Sequence, residues 1–231
     1  MSDIHLSRRL LAIAEYIPQG ATLADIGTDH AYLPCHAALN GRIKKAIAGE
    51  INEGPYRSAL KTVHACGLAA VIDVRRGDGL SILRPGEADA VVIAGMGGEL
   101  IRRILEAGAD RLNDSARLIL QPNNAADKVR AWLDTNGYDI VDEQILEEDG
   151  HFYEIIAANP GHPAPLSARE RLFGPVLLQK QGPVFRKKWL SELEKRERVL
   201  RALEKAKRPS ETEAKAMAIK KEIAEIKGVL A

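Results

Sequence analysis

Five times between Thr22 and Thr135 a short apolar run gives way to a stretch with helical spacing. Leu23, Ala24 and Ile26 make the first run, Lys45–Glu50 the second, Val71–Val74 the third, Ala88–Ala94 the fourth and Ala116–Leu120 the fifth. Short apolar runs alternating with helices predict buried parallel strands, because a parallel pair needs a long crossover to return the chain to the same edge. After the fifth helix, Asp139–Leu146 and His151–Ala158 flank Asp149-Gly150, a dipeptide suited to a tight turn, so these two strands pair antiparallel. The expected fold class is α/β, a mainly parallel sheet with helices on both faces and its last strand antiparallel.

In open sheets of this kind ligands bind beyond the carboxyl ends of the strands, so the residues at those ends carry the functional information. The first strand ends in Asp25-Ile-Gly27-Thr28-Asp29-His30 and runs into Ala31-Tyr32-Leu33-Pro34. This is not the dinucleotide G-x-G-x-x-G pattern, since Asp29 stands where a phosphate binder places a second glycine. A carboxylate there repels pyrophosphate and suits a cationic, hydroxyl-bearing ligand such as S-adenosylmethionine. The second strand ends at Gly49-Glu50-Ile51, about 20 residues beyond the first turn, where an acid accepts hydrogen bonds from ribose hydroxyls. Asp78, between Gly77 and Gly79, is placed to accept from an exocyclic amine such as that of adenine. Ala94-Gly95-Met96-Gly97-Gly98 lets backbone approach a ligand closely. The expected donor contacts are therefore Asp25, Gly27, Thr28, His30, Glu50, Ile51, Asp78, Gly79, Ala94, Gly95, Met96 and Gly97.

Charge divides the chain. Residues 1–160 hold 16 Lys+Arg against 23 Asp+Glu, whereas residues 161–231 hold 17 against 9. The boundary falls at the linker-like Gly161-His-Pro-Ala-Pro165, giving an acidic body, 1–160, and a basic appendage, 161–231, where a polyanion would dock. Within the appendage a helix is expected from Pro183 to about Lys207. Ser210-x-x-Glu213 reads as a capping box opening a second helix, with the turn at Arg208-Pro209. Phe185, Trp189, Leu193, Leu200 and Leu203 on one helix, and Ala216, Ile219, Ile223, Ile226 and Leu230 on the other, have the spacing of a paired, coiled-coil-like seam. Lys187, Lys188, Arg196, Lys205, Lys207 and Lys220 are candidates for phosphate contact. Cys35 and Cys66 lack C-x-x-C spacing and read as small core residues, with no metal site implied. The N-terminal residues break their apolar positions with charges and no run approaches a membrane span, so a cytoplasmic location is expected.

DIGTDHAYLP, AGE, GDGL, VVIAGMGG and LQPNNAADKVRAWL together resemble the bacterial tRNA (adenine-22)-N1-methyltransferase family, and the likeness extends from about Leu6 to the end of the chain. The resemblance implies a Rossmann-like class I methyltransferase domain with a seven-stranded sheet, S-adenosylmethionine as methyl donor, tRNA as substrate and a C-terminal coiled-coil-like helical domain. Methylation at N1 of adenine needs an unpaired base turned into a pocket. For that pocket the reading selects Asp29 as the acid that stabilises the cationic product, Tyr32 with the Met96-Gly97 backbone as a stacking wall, and Gln121 and Asn123 as polar base contacts. The partner set is tRNA, without membrane or metal, acting as a monomer; a dimer through the C-terminal helices is the alternative. Two other functions fit the same motifs: methylation of another base or a small molecule, and a non-catalytic RNA-binding protein with a vestigial donor pocket.

Overall fold

The computed structural model describes residues 4–112, 116–204 and 209–231, the side chains of 209–212 excepted. The apolar runs become strands β1 (Ala21–Ile26), β2 (Ile43–Glu50), β3 (Ile72–Arg76), β4 (Ala90–Met96) and β5 (Arg117–Pro122), with β6 (Tyr138–Glu148) and β7 (His151–Pro160) as the hairpin. They form one seven-stranded sheet in the order β3-β2-β1-β4-β5-β7-β6. The pairs from β3 through β5 are parallel, and β7 lies antiparallel between β5 and β6. The order reverses at β1, whose neighbours are β2 and β4, so a crevice opens beyond the ends of those three strands.

Helices α1 (Arg8–Glu15), α2 (Tyr32–Leu39), α3 (Glu53–Ala65), α4 (Gly98–Ala107) and α5 (Ala126–Thr135) cover the two faces. Each face has its own apolar layer. Ile13, Ile17, Leu33, Ala37 and Val63 pack with Leu23 and Val92 on one side. Ile101, Leu105, Val129, Trp132 and Leu133 pack with Ala24, Val91 and Leu118 on the other. Central strands sandwiched this way must be apolar on both faces, which is why β1 and β4 read as unbroken runs rather than alternating ones. Both cysteines are free; Cys35 is buried and Cys66 half-buried, and burial pushes the Cys35 thiol up to about 12.

The chain divides into two compact units after Val176, not after Pro160. The reason is a buried cluster around Arg130 of α5. Its Nε and Nη2 donate to Glu143 of β6 and Glu154 of β7 at 2.7 and 2.5 Å, and Nη1 donates to the carbonyls of Arg171 and Leu172. The other Glu143 oxygen accepts from the Val176 N–H at 3.0 Å. Helix α6 (Ala168–Phe173) is thereby held to the body, opened by a capping box between Ser167 and Glu170. Gly174 then turns at φ +90°, and Gly174-Pro175 separates α6 from α7 (Pro175–Lys180). A Cβ there would meet Glu143 Oε2 at 2.5 Å, so conformation and space both demand glycine.

The second unit, from Leu177, contains α8 (Pro183–Glu204) and α9 (Pro209–Leu230), two 22-residue helices packed on each other. Their apolar residues are arranged as the spacing predicts. Phe185, Trp189, Ile223 and Ile226 are buried, and Leu193, Leu200, Leu203, Ala216 and Ile219 half-buried, although Val229 replaces Leu230 as the last fully covered position. Arg196 bridges the helices, pairing with Glu192 at 2.5 Å and Glu222 at 2.7 Å. Lys220 pairs with Glu204 at 3.2 Å. The Lys188 ammonium stands 4.7 Å from the Trp189 ring centre. Lys205, Lys207, Arg208 and the Ser210 side chain, expected as phosphate contacts, turn and cap, lie outside the described residues. Among the described residues no helix is long and apolar enough to cross a membrane.

Candidate active site

A cavity of about 630 Å³ opens at the crevice beside β1. Its floor is the turn after β1. Gly27, at φ +73°, and Thr28 both donate their N–H groups to the Gly49 carbonyl at 2.9 Å, which ties the turn to the end of β2. A side chain at Gly27 would also collide with Met96, whose Cε lies 2.2 Å from the position of its Cβ. Asp29 and Ala31 follow in the left-handed region, at φ 54° and 57°. A short polar residue tolerates that conformation better than alanine does, so the loop holds backbone strain of about 1–3 kcal/mol per residue.

Of the four carboxylates that line the cavity, Asp25, Glu50 and Asp78 lie along it with different surroundings. Asp25 is buried and accepts the Thr28 hydroxyl at 2.6 Å. Burial pushes its carboxyl up to about 6; the Thr28 bond opposes the rise and the charge of Glu50 adds to it. Glu50 is also buried, but one of its oxygens accepts the N–H groups of Ile51 and Asn52 at 3.0 and 3.1 Å. The backbone thus fixes the carboxylate in place, with its second oxygen 3.4 Å from the Asp29 N–H. Asp78 reaches the cavity from the start of the 3-10 turn Gly79–Ile82.

At the mouth, the His30 and Tyr32 rings stack, 5.2 Å apart and 15° from parallel. Tyr32 is 43% exposed, a flat apolar surface open to solvent. The Asp29 carboxylate is 3.5 Å from His30 Nε2. Of the expected donor and base contacts, Asp25, Gly27, Thr28, Asp29, His30, Tyr32, Glu50, Ile51, Asp78, Gly79, Ala94, Gly95 and Met96 all line this one cavity.

Gln121, Asn123 and Gly97 are not among the residues that line it; the fully buried Gln121 side chain cannot face a bound base, whereas Asn123 is exposed at the end of β5. Gln121 is fully buried, its Oε1 accepting from Arg9 at 2.6 Å and from the Gly95 N–H at 3.1 Å, while its Nε2 donates to Asn123 Oδ1. Asn123 in turn donates to the Gly95 carbonyl at 2.8 Å. The amides stand behind the Gly95 loop and hold its shape. Gly97 precedes α4 and Asn124 packs against it, while the first turn of α5 is entered through Ala125 at φ 49°.

Sequence reasoning missed Arg9 and Leu10 of α1, Asn52 and Pro55, and Leu100 and Ile104 of α4, all of which line the cavity. The signal for Arg9 was present: it lies three residues after Leu6 and four before Ile13, on the face that α1 turns to the sheet.

The sequence matches the family described as tRNA (adenine(22)-N(1))-methyltransferase over residues 23–228. The tRNA (adenine(22)-N(1))-methyltransferase of Bacillus subtilis (strain 168) is 52% identical over 200 residues, 84% of each chain. A Streptococcus pneumoniae structure in complex with S-adenosyl-L-methionine superposes with a TM-score of 0.90 at 45% identity, covering 98% of this chain and all of that one. The Mycoplasma capricolum enzyme TrmK, solved with S-adenosylhomocysteine, gives a TM-score of 0.84 at 29% identity over 97% of each chain.

Proposed function

The chain belongs to the tRNA (adenine(22)-N(1))-methyltransferase family, and on that premise we propose how its residues divide the work. The reaction is S-adenosylmethionine-dependent methylation of adenine N1 in tRNA. The observation that carries the assignment of residues is the gathering of the strand-end motifs around one cavity large enough for a nucleoside.

When bound, S-adenosylmethionine supplies an electrophilic methyl group carried on a sulfonium. The cavity suits it, since Glu50 presents a backbone-anchored carboxylate to ribose hydroxyls and Asp78 an acceptor to the adenine amine. Gly27 and Gly95 keep the floor and wall clear of side chains. Adenine N1 carries an in-plane lone pair, so no residue has to remove a proton before attack. The chain's task is positioning and charge stabilisation. Asp29, at the mouth beside the His30–Tyr32 ring pair, offers negative charge to the purine that becomes cationic, and Tyr32 offers the face on which the turned-out base stacks. Gln121 and Asn123 act through the Gly95 loop that they hold.

The second unit serves as the tRNA dock. From Leu177 onward 15 Lys+Arg face 8 Asp+Glu, opposite in sign to the acidic body. Lys187 and Lys188 are its phosphate contacts by charge and place on α8, and Arg196 pairs with Glu192 and Glu222.

Incubation with labelled S-adenosylmethionine and unmodified tRNA, followed by nucleoside mapping, tests the reading. 1-Methyladenosine at position 22 is expected. Donor binding without transfer to any tRNA would instead favour a non-catalytic RNA-binding protein.

A further inference from the structure

The sheet face under α1 carries a row of planar side chains that begins at the cavity wall and runs toward the tip of the β6–β7 hairpin. Tyr153 and His151 stand two residues apart on β7 and so share one face, Tyr153 packing against the apolar layer on the α1 side. The Arg9 guanidinium, from a residue that lines the cavity, lies 5.3 Å from the Tyr153 ring centre. The His151 ring follows at 6.4 Å from that of Tyr153, tilted by 56°, and His151 pairs with Glu148 across the turn.

Helix α1 covers the inner part of this row and stops short of its outer end. Its first residue is Arg8, whose N–H the Glu148 carboxylate accepts at 2.6 Å, pinning the helix start beside the hairpin tip. His151 is left exposed, and among the described residues its imidazole has no hydrogen-bond or ion-pair partner. The Arg8 side chain is exposed as well. It donates to the Glu147 carbonyl at 3.4 Å, and among the described residues no acid forms an ion pair with it.

Long-range attraction is not what this edge offers a polyanion, because Glu147 and Asp149 stand at the same tip and Glu148 is taken up by the helix. It offers flat ring surface at short range, with a guanidinium at the outer end. Bases stack on such surface whatever their identity, and a guanidinium takes a phosphate in fork geometry. An RNA that turns one base into a cavity leaves the adjoining base without its stacking partner. A protein surface that replaces the lost stacking lowers the cost of extrusion.

We propose that the His151–Tyr153 edge of β7, together with Arg8, is an RNA contact on the body itself: it stacks the base adjoining the turned-out adenine and holds that nucleotide's phosphate. The contact rests on the reading of the protein as a tRNA methyltransferase and adds to the dock assigned to the second unit.

The test uses the full chain, with His151→Ala, His151→Phe, Arg8→Gln and the double variant of His151→Ala with Arg8→Gln. Calorimetry with S-adenosylhomocysteine should give wild-type affinity throughout, since neither side chain lines the cavity. Affinity and kcat/KM for tRNA should fall about 10-fold in His151→Ala and recover in His151→Phe, which restores a ring. Arg8→Gln should flatten the slope of log affinity against log salt by about one. A tRNA lacking the base that adjoins the target should bind wild type about 10-fold more weakly, and His151→Ala should lose nothing further on it. Wild-type tRNA affinity in the double variant overturns the proposal. So does an equal loss of donor and tRNA binding, which a merely structural role would produce. A wild-type protein that binds donor yet methylates no tRNA would instead sink the reading beneath the proposal, so the two failures are distinguishable.

Discussion

The Met96 side chain occupies the space that any side chain on Gly27 would need, its Cε 2.2 Å from where a Cβ would stand. Both residues line the cavity, one at the end of β1 and the other at the end of β4. Gly27→Ala therefore does two things. It forces a left-handed conformation at φ +73° on a residue with a Cβ, costing about 1–2 kcal/mol, and it pushes Met96 into the donor's space. Urea unfolding should show the stability loss, and calorimetry a fall in donor affinity of about 10-fold or more. Full donor affinity in this variant would show that the Met96 contact does not shape the site.

Asp25 gives the free protein a pH signature. Its carboxyl, ordinarily near 3.8, is pushed up to about 6 by burial. Between those values the unfolded chain has released the proton while the folded one keeps it, so stability is greatest below the lower value and falls as pH rises through the upper one. The swing is about 3 kcal/mol. Asp25→Asn can still accept the Thr28 hydroxyl and should be more stable than wild type at pH 8 by about 1–3 kcal/mol, with the difference shrinking toward pH 4. A wild-type-minus-variant difference that does not vary with pH would contradict this.

The Arg130 cluster is expected to be intolerant of losing its cation. Arg130→Met removes the buried cation that Glu143 and Glu154 both pair with, a loss of about 3–5 kcal/mol. Thermal unfolding measures it. A change below about 1 kcal/mol would mean that these acids find other partners or take up protons at little cost.

Where the chain is cut should matter. A chain ending at Val176 keeps α6 and the bonds from Arg130 to the Arg171 and Leu172 carbonyls. It should bind donor like the full chain and lose tRNA affinity by about 10-fold or more. A chain ending at Pro160 loses those contacts, together with the Leu166 N–H bond to Asp134, and should melt at a lower temperature than the longer fragment. Equal loss of donor and tRNA binding in the Val176 fragment would argue against a docking role for α8 and α9.

Much of this was legible in the chain itself. The strands could be read because β1, β2, β4 and β5 are apolar on both faces, and the hairpin because Asp149-Gly150 interrupts a long alternating stretch. The donor cavity could be read because its polar groups come from strand ends, whose position in a parallel sheet is set by topology. What could not be read were contacts made across the sheet's sequence order. Arg9 meets Gln121 from 112 residues away, and Glu148 meets Arg8 from 140. Neither spacing leaves a periodic trace. The domain boundary was misplaced for a similar reason: Gly161–Pro165 has the composition of a linker, yet α6 beyond it is drawn back by Arg130, a residue whose burial nothing local announces. Gln121 was misjudged because a polar residue at a strand end looks the same whether its amide faces a ligand or a neighbouring loop.

The bond between the Glu148 carboxylate and the first turn of α1 has a consequence for how the enzyme matures. The helix bearing Arg9 is made before the acid that seats it, which follows 140 residues later, a delay of about ten seconds at ordinary synthesis rates. β7, which completes the sheet between β5 and β6, follows that acid directly, so the seating of α1 and the closing of the sheet depend on the same late hairpin.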